Sequence, residues 1–450
     1  MGPGFAGRFS PLPGDCLLMK KSGMRLVALM CFLVMSAGTA FAEGFSLYEY
    51  SARGIALGGA MMARKPDPSA VAYNPALLTR LPGARAMVGV SVIRPMGEMK
   101  WKNGNNYETT ELRDSLWALP HAYFTYQIND NWFFGIGEFS RFGLGFEYPH
   151  SWPGRFNIYE VSLKSASINP NIAWKATDKL SIAAGVEIVY VDLDIKKRNK
   201  VSIGAVPGAF MEVDANIHKA DDFGIGANVA LHYQFNDQWA FGISYRSPVK
   251  VHAYGDVMFS YKGSTGLPPV PGLEGQVQQG YKSVFKDGTA HSTVVLPESV
   301  QAGIAWSPMP DLSIEVGAIW TRWSRFRNLN IHMPHDLPVS ENKKHWKDVW
   351  RLNAGVEYDA LDWLTLRVGY VYDQSPMTQE YRDYLVPTAD RHIYSAGVGL
   401  KWEAWTLDLA YAYIDAIGRS YSDNPKTQTL HSKAKASSTN IFSVSLSYEF

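Results

Sequence analysis

Cysteine is almost absent from this chain of 450 residues. The two cysteines, Cys16 and Cys31, both lie near the amino terminus. Everything after Cys31 therefore lacks disulfides and thiolate metal sites. A thiol-free chain is suited to export through an oxidising periplasm, where stray thiols react.

An excess of charge of one sign is also missing. The chain has 43 Lys and Arg residues against 42 Asp and Glu residues, which gives a formal net charge of +1. This balance gives no electrostatic reason to expect nucleic acid as a partner.

Long apolar runs are lacking too. The run at residues 26–35 is too short for a comfortable membrane-spanning helix, and no other stretch qualifies.

Residues 1–42 are predicted to contain a signal peptide. A basic region at 20–25 precedes the apolar run at 26–35, and Ala40-Phe41-Ala42 is an A-x-A cleavage site. The residues before Met19 fit no signal-peptide pattern. A translation start at Met19 or Met24 would give a chain that begins with the basic region of a signal peptide. We expect cleavage after residue 42.

Aromatic residues and glycine are abundant. Aromatics make up 13% of the chain, with 24 Tyr and 14 Trp, and there are 39 Gly. Such a composition without long apolar runs is typical of a membrane β-barrel, whose strands face lipid on one side and whose interfaces carry aromatic girdles. A large soluble β-sandwich or propeller is the alternative on composition alone.

Period-two alternation favours the barrel. In the last segment, apolar side chains at every second position from Phe442 to Phe450 share one face, and Ser443, Ser445 and Ser447 share the other. Similar alternation recurs along the chain, and short connections alternate with long ones, including one at 197–221. We therefore predict an all-β, antiparallel transmembrane barrel of about 14 strands, spanning residues 84–450, with both ends periplasmic.

The carboxyl terminus carries a second signal. Tyr448 and Phe450 end a chain whose preceding alternate positions are aromatic or apolar. This ending resembles the signal that the outer-membrane barrel-assembly machinery recognises. It predicts an outer-membrane location in a Gram-negative bacterium, in contact with membrane lipid and lipopolysaccharide.

Residues 43–83 fit neither a helix nor a spanning strand. Glycines and prolines interrupt every pattern, yet the segment has too many apolar side chains for a free linker. Such a segment needs a cavity to fold into, and the barrel lumen offers one.

The sequences GFSLYEYSARGIALGGA and DPSAVAYNPALL within this segment resemble the N-terminal hatch of the FadL/TodX family of outer-membrane transporters, with Asn74-Pro75-Ala76 as the hatch motif. The resemblance covers nearly the whole chain after residue 42. It implies a hatch at 43–83 that plugs the lumen and passive uptake of hydrophobic molecules, either long-chain fatty acids or hydrocarbons. It also implies lateral release into the membrane, and it places Gly44, Phe45 and Leu47 near the ligand.

The third strand is predicted to break register. Trp132, Phe134 and Ile136 define a lipid face, and continued alternation would aim Glu138 at lipid, which is unfavourable by a few kcal/mol. The alternative is a plain strand in which Glu138 reaches the headgroups. The resemblance implies a kink that opens the wall beside the hatch motif. The residues assigned to this kink and lateral exit are Glu138, Phe139, Ser140, Arg141, Phe142 and Gly143.

Two basic clusters are candidates for holding a carboxylate. By resemblance they correspond to regions that bind the fatty-acid carboxylate, although the residues do not align one for one. The alternative is an outer rim that meets lipopolysaccharide. The candidates are Lys196, Lys197, Arg198, Arg325 and Arg327.

The sequence offers little evidence for an enzyme active site or a metal site. The chain contains no G-x-S-x-G, complete G-x-G-x-x-G or P-loop motif, and His332 and His335 read as a solvated loop rather than a metal site. A barrel lipase or protease, or an adhesin-like barrel, is the alternative function. We expect no catalytic residue, metal or cofactor.

Overall fold

The structure, a computed structural model, describes residues 44–204, 206–435 and 437–450. The predicted signal peptide lies outside these residues. Within them, none of the helices has both the length and the apolar character needed to cross a membrane.

The described residues are mostly strands. The strands are β1 (Ala84–Met96), β2 (Glu98–Asn103), β3 (Asn106–Glu111), β4 (Trp117–Gln127), β5 (Trp132–Phe139), β6 (Leu144–Glu147), β7 (Glu160–Lys175), β8 (Leu180–Ser202), β9 (Phe210–Gln234), β10 (Trp239–Arg246), β11 (Val249–Thr265), β12 (Gly288–Leu296), β13 (Ser299–Met309), β14 (Leu312–Thr321), β15 (Asn328–His332), β16 (Ser340–Lys343), β17 (Val349–Leu361), β18 (Leu364–Asp373), β19 (Arg391–Trp402), β20 (Trp405–Ala416), β21 (Arg419–Tyr421), β22 (Ser432–Ala434) and β23 (Ser437–Glu449).

Fourteen of these strands form a closed antiparallel barrel, which confirms the predicted fold class. Their order around the wall is β1-β4-β5-β7-β8-β9-β10-β13-β14-β17-β18-β19-β20-β23. The ring closes because β1 pairs with β4 on one side and with β23 on the other, so that Val88 lies opposite both Ala122 and Leu446.

Burial follows the predicted alternation. In β23, Phe442 and Val444 are exposed on the outside of the wall, whereas Ser443 and Ser445 are buried in the lumen. An apolar outer face with small polar residues inside suits a wall between lipid and a filled interior.

The end of the barrel with the long connections, called the outer end below, is more regular than predicted. The expected loop at 197–221 is wrong for most of its length, because β8 and β9 continue as a paired ribbon as far as Ser202 and Phe210. These connections also contain a four-stranded sheet, formed by β21, β22, β2 and β3. They contain a helix as well, Leu273–Val284, which is labelled α3 because two shorter helices precede it in the chain. Short 3-10 helices lie at Pro153–Phe156 and Trp323–Arg325.

The amino-terminal segment lies inside the wall. It contains two short helices, α1 (Ala52–Ala56) and α2 (Ala70–Tyr73), and a 3-10 helix at Pro75–Arg80. Helix α1 touches β18, β19 and β20, whereas the 3-10 helix touches β5, β7, β8 and β9 on another part of the wall. Nearly all of its residues from Gly44 to Leu78 are buried.

Candidate functional site

Buried carboxylates of the wall hold the backbone of the amino-terminal segment. The carboxylate of Glu315 accepts hydrogen bonds from the backbone N–H groups of Met62 (2.6 Å), Ala63 (3.1 Å) and Arg64 (3.0 Å). The Arg64 guanidinium lies 3.6 Å from the same carboxylate. Charge-assisted bonds in a dry site are stronger than neutral ones, so Glu315 is a major anchor of this segment.

A second anchor is a chain of buried ion pairs. Arg53 of α1 donates two hydrogen bonds, both 2.7 Å, to the carboxylate of Glu357 on β17. Arg367 donates to the same carboxylate at 2.7 Å and to Asp408 at 2.6 Å. Removing one member of such a network leaves a buried charge unpaired, which costs about 3–5 kcal/mol.

A third anchor lies on β10, two strands around the wall from β14, the strand of Glu315. The Arg246 guanidinium donates to the backbone carbonyls of Val71 (3.2 Å) and Ala72 (2.7 Å). It also lies 3.2 Å from the Glu187 carboxylate, which Arg141 contacts at 2.7 Å. Arg141 thus ties the predicted kink to the same network.

The predicted hatch motif has a structural role. Asn74 caps the 3-10 helix, because its side-chain oxygen accepts the Ala76 N–H at 3.1 Å, and Pro75 occupies the first turn, where no donor is needed. The Asn74 amide also donates to the carbonyls of Met62 (2.7 Å) and Leu231 (3.2 Å). The motif therefore fixes the segment against itself and against β9.

The third strand of the wall, β5, does change register, but the break begins two residues later than predicted. Glu138 and Phe139 still pair regularly, opposite Ile168 and Ser167 of β7. Pairing resumes at Leu144, opposite Leu163, so five steps along β5 and β6 match only four along β7. The irregular residues are 140–143.

This single extra residue reverses the alternation. Before it, odd-numbered residues such as Phe133 and Phe139 are buried inward; after it, the even-numbered Leu144 and Phe146 are buried. Glu138 keeps an outward position between Ile136 and the break and is half-buried. The inserted residue is the signature of a β-bulge.

Some of the freed backbone groups of the kink find partners in the amino-terminal segment, whereas those of Phe142 bond to the Ser165 hydroxyl of β7. The Leu47 N–H donates to the Arg141 carbonyl (2.7 Å), and the Gly143 N–H donates to the Phe45 carbonyl (2.9 Å). Ser46 forms a β-bridge with Phe142. The partners are therefore Phe45 and Leu47, whereas the hydrogen bonds of the Asn74-Pro75-Ala76 motif, predicted to lie here, reach Met62 and β9.

The kink leaves a gap in the wall. Pairing between β4 and β5 ends at Ala122 and Glu138, although β4 continues outward to Trp117. Strand β6 pairs with β7, and β4 and β6 do not pair with each other among the described strands. Farther out, the Arg113 N–H donates to the Glu147 carbonyl at 2.9 Å. Between these two points lies what we call the lateral gap.

An apolar cavity lies just inside the outer end. Its volume is ≈ 50 Å³, and Phe45 contributes to its lining together with aliphatic residues of β6, β7, β8, β11 and β12. Phe45 is 3% exposed and sits among aromatic rings, with centroids 4.7 Å from Trp323, 5.4 Å from Phe326 and 6.0 Å from Trp346. These three aromatics were not singled out from the sequence, because only their packing around Phe45 marks them.

The other predicted ligand residues play different parts. Gly44 has a φ of +69° and no room for a side chain, since a Cβ there would lie 2.5 Å from a ring atom of Trp323. Leu47 packs beneath the kink, where a Cβ on Gly143 would lie 2.8 Å from its methyl group. Of the three, Phe45 reaches the apolar cavity.

Most of the predicted carboxylate contacts already have acidic partners. Lys196 pairs with Glu160 at 2.8 Å, Arg198 pairs with Asp214 at 2.7 Å, and Arg325 pairs with Glu298. Arg327 is exposed.

Lys197 differs from these residues. It is half-buried and lines a second, more polar cavity. This outer cavity and the apolar cavity share Ile195, Leu329 and Leu385 as lining residues, so they adjoin. Burial lowers the pKa of Lys197 from its ordinary value. The arrangement puts the Lys197 ammonium group beside the mouth of the apolar cavity, in an outer cavity that Lys343 and Lys426 also line.

A closed antiparallel barrel with an apolar outer face and a buried amino-terminal segment defines the class of plugged outer-membrane β-barrels. The model of the family described as "Outer membrane protein transport protein (OMPP1/FadL/TodX)" matches residues 33–450. The chain belongs to this family, which confirms the resemblance noted in the sequence.

Individual relatives agree. The long-chain fatty acid transport protein of Escherichia coli O6:H1 is 25% identical over 86% of this chain and 90% of its own length. The crystal structure of a Pseudomonas aeruginosa FadL homologue superposes with a TM-score of 0.77 at 19% identity, covering 90% of this chain and all of the other. The Pseudomonas putida toluene transporter TodX gives 0.70 at 18% identity, covering 90% and 99%.

These likenesses place the chain among outer-membrane transport proteins of Gram-negative bacteria and not among membrane-embedded enzymes. The identities to the solved structures are low, so those structures establish the shared fold alone.

Proposed function

We propose that the protein takes up hydrophobic molecules passively across the outer membrane. The ligand enters the apolar cavity at Phe45 from the outer end and leaves sideways through the lateral gap into the membrane. The observation that carries this proposal is that Phe45 lines the apolar cavity and its carbonyl accepts the Gly143 N–H of the kink. Ligand capture and the gap are thereby joined through one residue.

Release straight through the lumen is disfavoured by the anchors of the amino-terminal segment. A path towards the inner end must displace a segment that Glu315, Glu357 and Arg246 hold by buried charged bonds. The lateral gap avoids the Glu315 and Glu357 anchors, whereas the third anchor reaches the kink through Arg141. The segment at 43–83 therefore acts as a hatch, which rests on the same contacts.

Further parts of the proposal concern processing and assembly. We place the signal peptide at residues 1–42, the hatch at 43–83 and the barrel at 84–450. Tyr448 and Phe450 form the assembly signal, which agrees with the 74% exposure of Phe450 at the end of the last strand.

Replacing Phe45 with alanine tests the capture site. Loss of the buried ring removes about 1.5–3 kcal/mol of apolar contact, so ligand affinity and uptake should fall by about tenfold or more. Phe442→Ala, which removes a lipid-facing ring of the same kind, is the matched control. Equilibrium binding of a radiolabelled long-chain fatty acid to purified protein measures the effect. Equal affinities for Phe45→Ala and wild type would place the capture site elsewhere.

The class of ligand depends on Lys197. If the ligand is a fatty-acid anion, Lys197→Ala should weaken its binding by about tenfold, the value of one charged hydrogen bond, and leave toluene binding unchanged. Lys196→Ala is the control, because Glu160 already neutralises that charge. Equal affinity for the anion in wild type and Lys197→Ala would remove the carboxylate role and favour a neutral hydrocarbon.

The same interaction has a pH dependence. The ammonium form binds the anion, so affinity is complete where Lys197 is protonated and the fatty acid is ionised, and it falls as the pH rises through the pKa of Lys197. Because burial lowers this pKa, the fall begins at a lower pH than for an ordinary lysine. Lys197→Arg, which stays charged, should abolish the fall.

A further inference from the structure

The lateral gap is not empty. The indole of Trp117, at the outer end of β4, lies over the backbone of Gly145 on β6. A Cβ built on Gly145 would lie 2.7 Å from each of two atoms of the six-membered ring of Trp117. The ring therefore spans the space between the two strands and fits only because residue 145 has no side chain.

Two contacts hold the indole in this position. Its N–H donates to the Ser115 hydroxyl at 2.9 Å. On its inner side the ring packs against an apolar cluster that includes Leu47 of the hatch and Leu119 of β4. Trp117 is half-buried: part of its ring packs against the hatch, and the rest is exposed at the surface.

We propose that Trp117 is the gate of the lateral gap. With its indole over Gly145 the gap is closed to a ligand, and rotation of the side chain away from Gly145 opens it. This inference rests on the lateral release proposed above and names the group that controls it. The backbone link between Arg113 and Glu147 bounds the opening on the outer side and does not need to break.

The hatch provides a route from ligand to gate. Phe45 lines the apolar cavity, and Leu47, two residues further on, packs both beneath Gly143 and in the cluster that supports Trp117. A ligand that displaces the Phe45 ring shifts this short paired segment. Trp117 then loses its inner support while the ligand stands next to the gap.

The first test is Trp117→Ala. Removing the indole should raise the initial rate of uptake of a radiolabelled long-chain fatty acid by about tenfold, equivalent to a barrier lower by about 1.4 kcal/mol. Affinity for the same fatty acid should stay at the wild-type value, because Trp117 does not line the apolar cavity. Trp132→Ala, which removes an exposed tryptophan from β5, should leave both quantities unchanged.

The second test uses the glycine. Gly145→Ala places a methyl group where the ring lies and should displace it, so uptake should rise in the otherwise wild-type protein. In the Trp117→Ala background the methyl group has room, and Gly145→Ala should add nothing. A merely structural glycine would instead give the same effect in both backgrounds.

The outcomes separate the gate from the exit. If a verified crosslink across the gap blocks uptake while Trp117→Ala transports at the wild-type rate, the exit is correct and the gate is wrong. If uptake survives the crosslink, lateral release itself is wrong. Heat-modifiable migration of each variant shows whether the barrel is assembled, so lost folding is not mistaken for either result.

Discussion

Closing the lateral gap with a crosslink should abolish uptake while ligand binding survives. Trp117→Cys combined with Gly145→Cys puts one thiol on each side of the gap. Every native cysteine lies before the proposed cleavage site, so the mature chain offers no competing thiol. A short bifunctional thiol reagent joins the two strands covalently. Neither Trp117 nor Gly145 lines the apolar cavity, so capture at Phe45 should continue.

The physical reason for a complete block is geometric. Hydrogen-bonded strands 4.7–4.9 Å apart leave no passage for a hydrocarbon chain, so the exit must lie where pairing stops, between Ala122 and Glu147. The same double variant without reagent is the matched control, and it should transport at least as fast as wild type because the indole is absent. Undiminished uptake by protein shown to be fully crosslinked by mass spectrometry contradicts the proposed exit.

Removing residues 43–80 should convert the protein into an open pore. The wall is a closed ring of fourteen strands that pair with one another, so it does not need the hatch for its backbone hydrogen bonds except at the kink. A lumen of this width cannot be filled by wall side chains alone. In planar bilayers the truncated protein should therefore show a large, steady ion conductance, where the whole protein shows very little.

A point variant provides a graded comparison. Glu315→Ala removes the acceptor of three hatch N–H bonds, each contributing about 1.5–3 kcal/mol, and leaves Arg64 without this partner. Its conductance should lie between wild type and the truncation, whereas Glu341→Ala, at an exposed position, should match wild type. Truncated protein that conducts no more than wild type would mean that the segment does not seal the lumen.

The membrane-spanning wall could be predicted because lipid imposes a strict pattern. In β20, Leu409 and Tyr411 face outward while Asp408 and Ala410 are buried inside, as the alternation predicts. Above the membrane no lipid face exists, so the ribbon extensions of β8 and β9 carry polar residues on both faces. Their sequence looked like the loop predicted at 197–221.

The site was predicted in part. The break in β5 was predicted because alternation would aim Glu138 at lipid. The residue at which the break begins depends on one extra residue relative to β7. The alternation within a single strand does not show where that extra residue lies. The contact of Phe45 and Leu47 with the kink joins residues about a hundred positions apart. The distinction between Lys196 and Lys197 depends on which acidic residue stands on the neighbouring strand, and only the register of β7 and β8 reveals that.

The most direct test is uptake by living cells. A Gram-negative strain that lacks its own channel for long-chain fatty acids should be made to express the chain, and the entry of a radiolabelled long-chain fatty acid and of radiolabelled toluene should be compared with an empty-vector strain. Transport of hydrophobic molecules predicts that at least one of the two enters faster than in the control, and that the crosslinked double-cysteine variant removes the difference. Entry at the vector rate for both, with the barrel assembled in the outer membrane, would contradict the proposal.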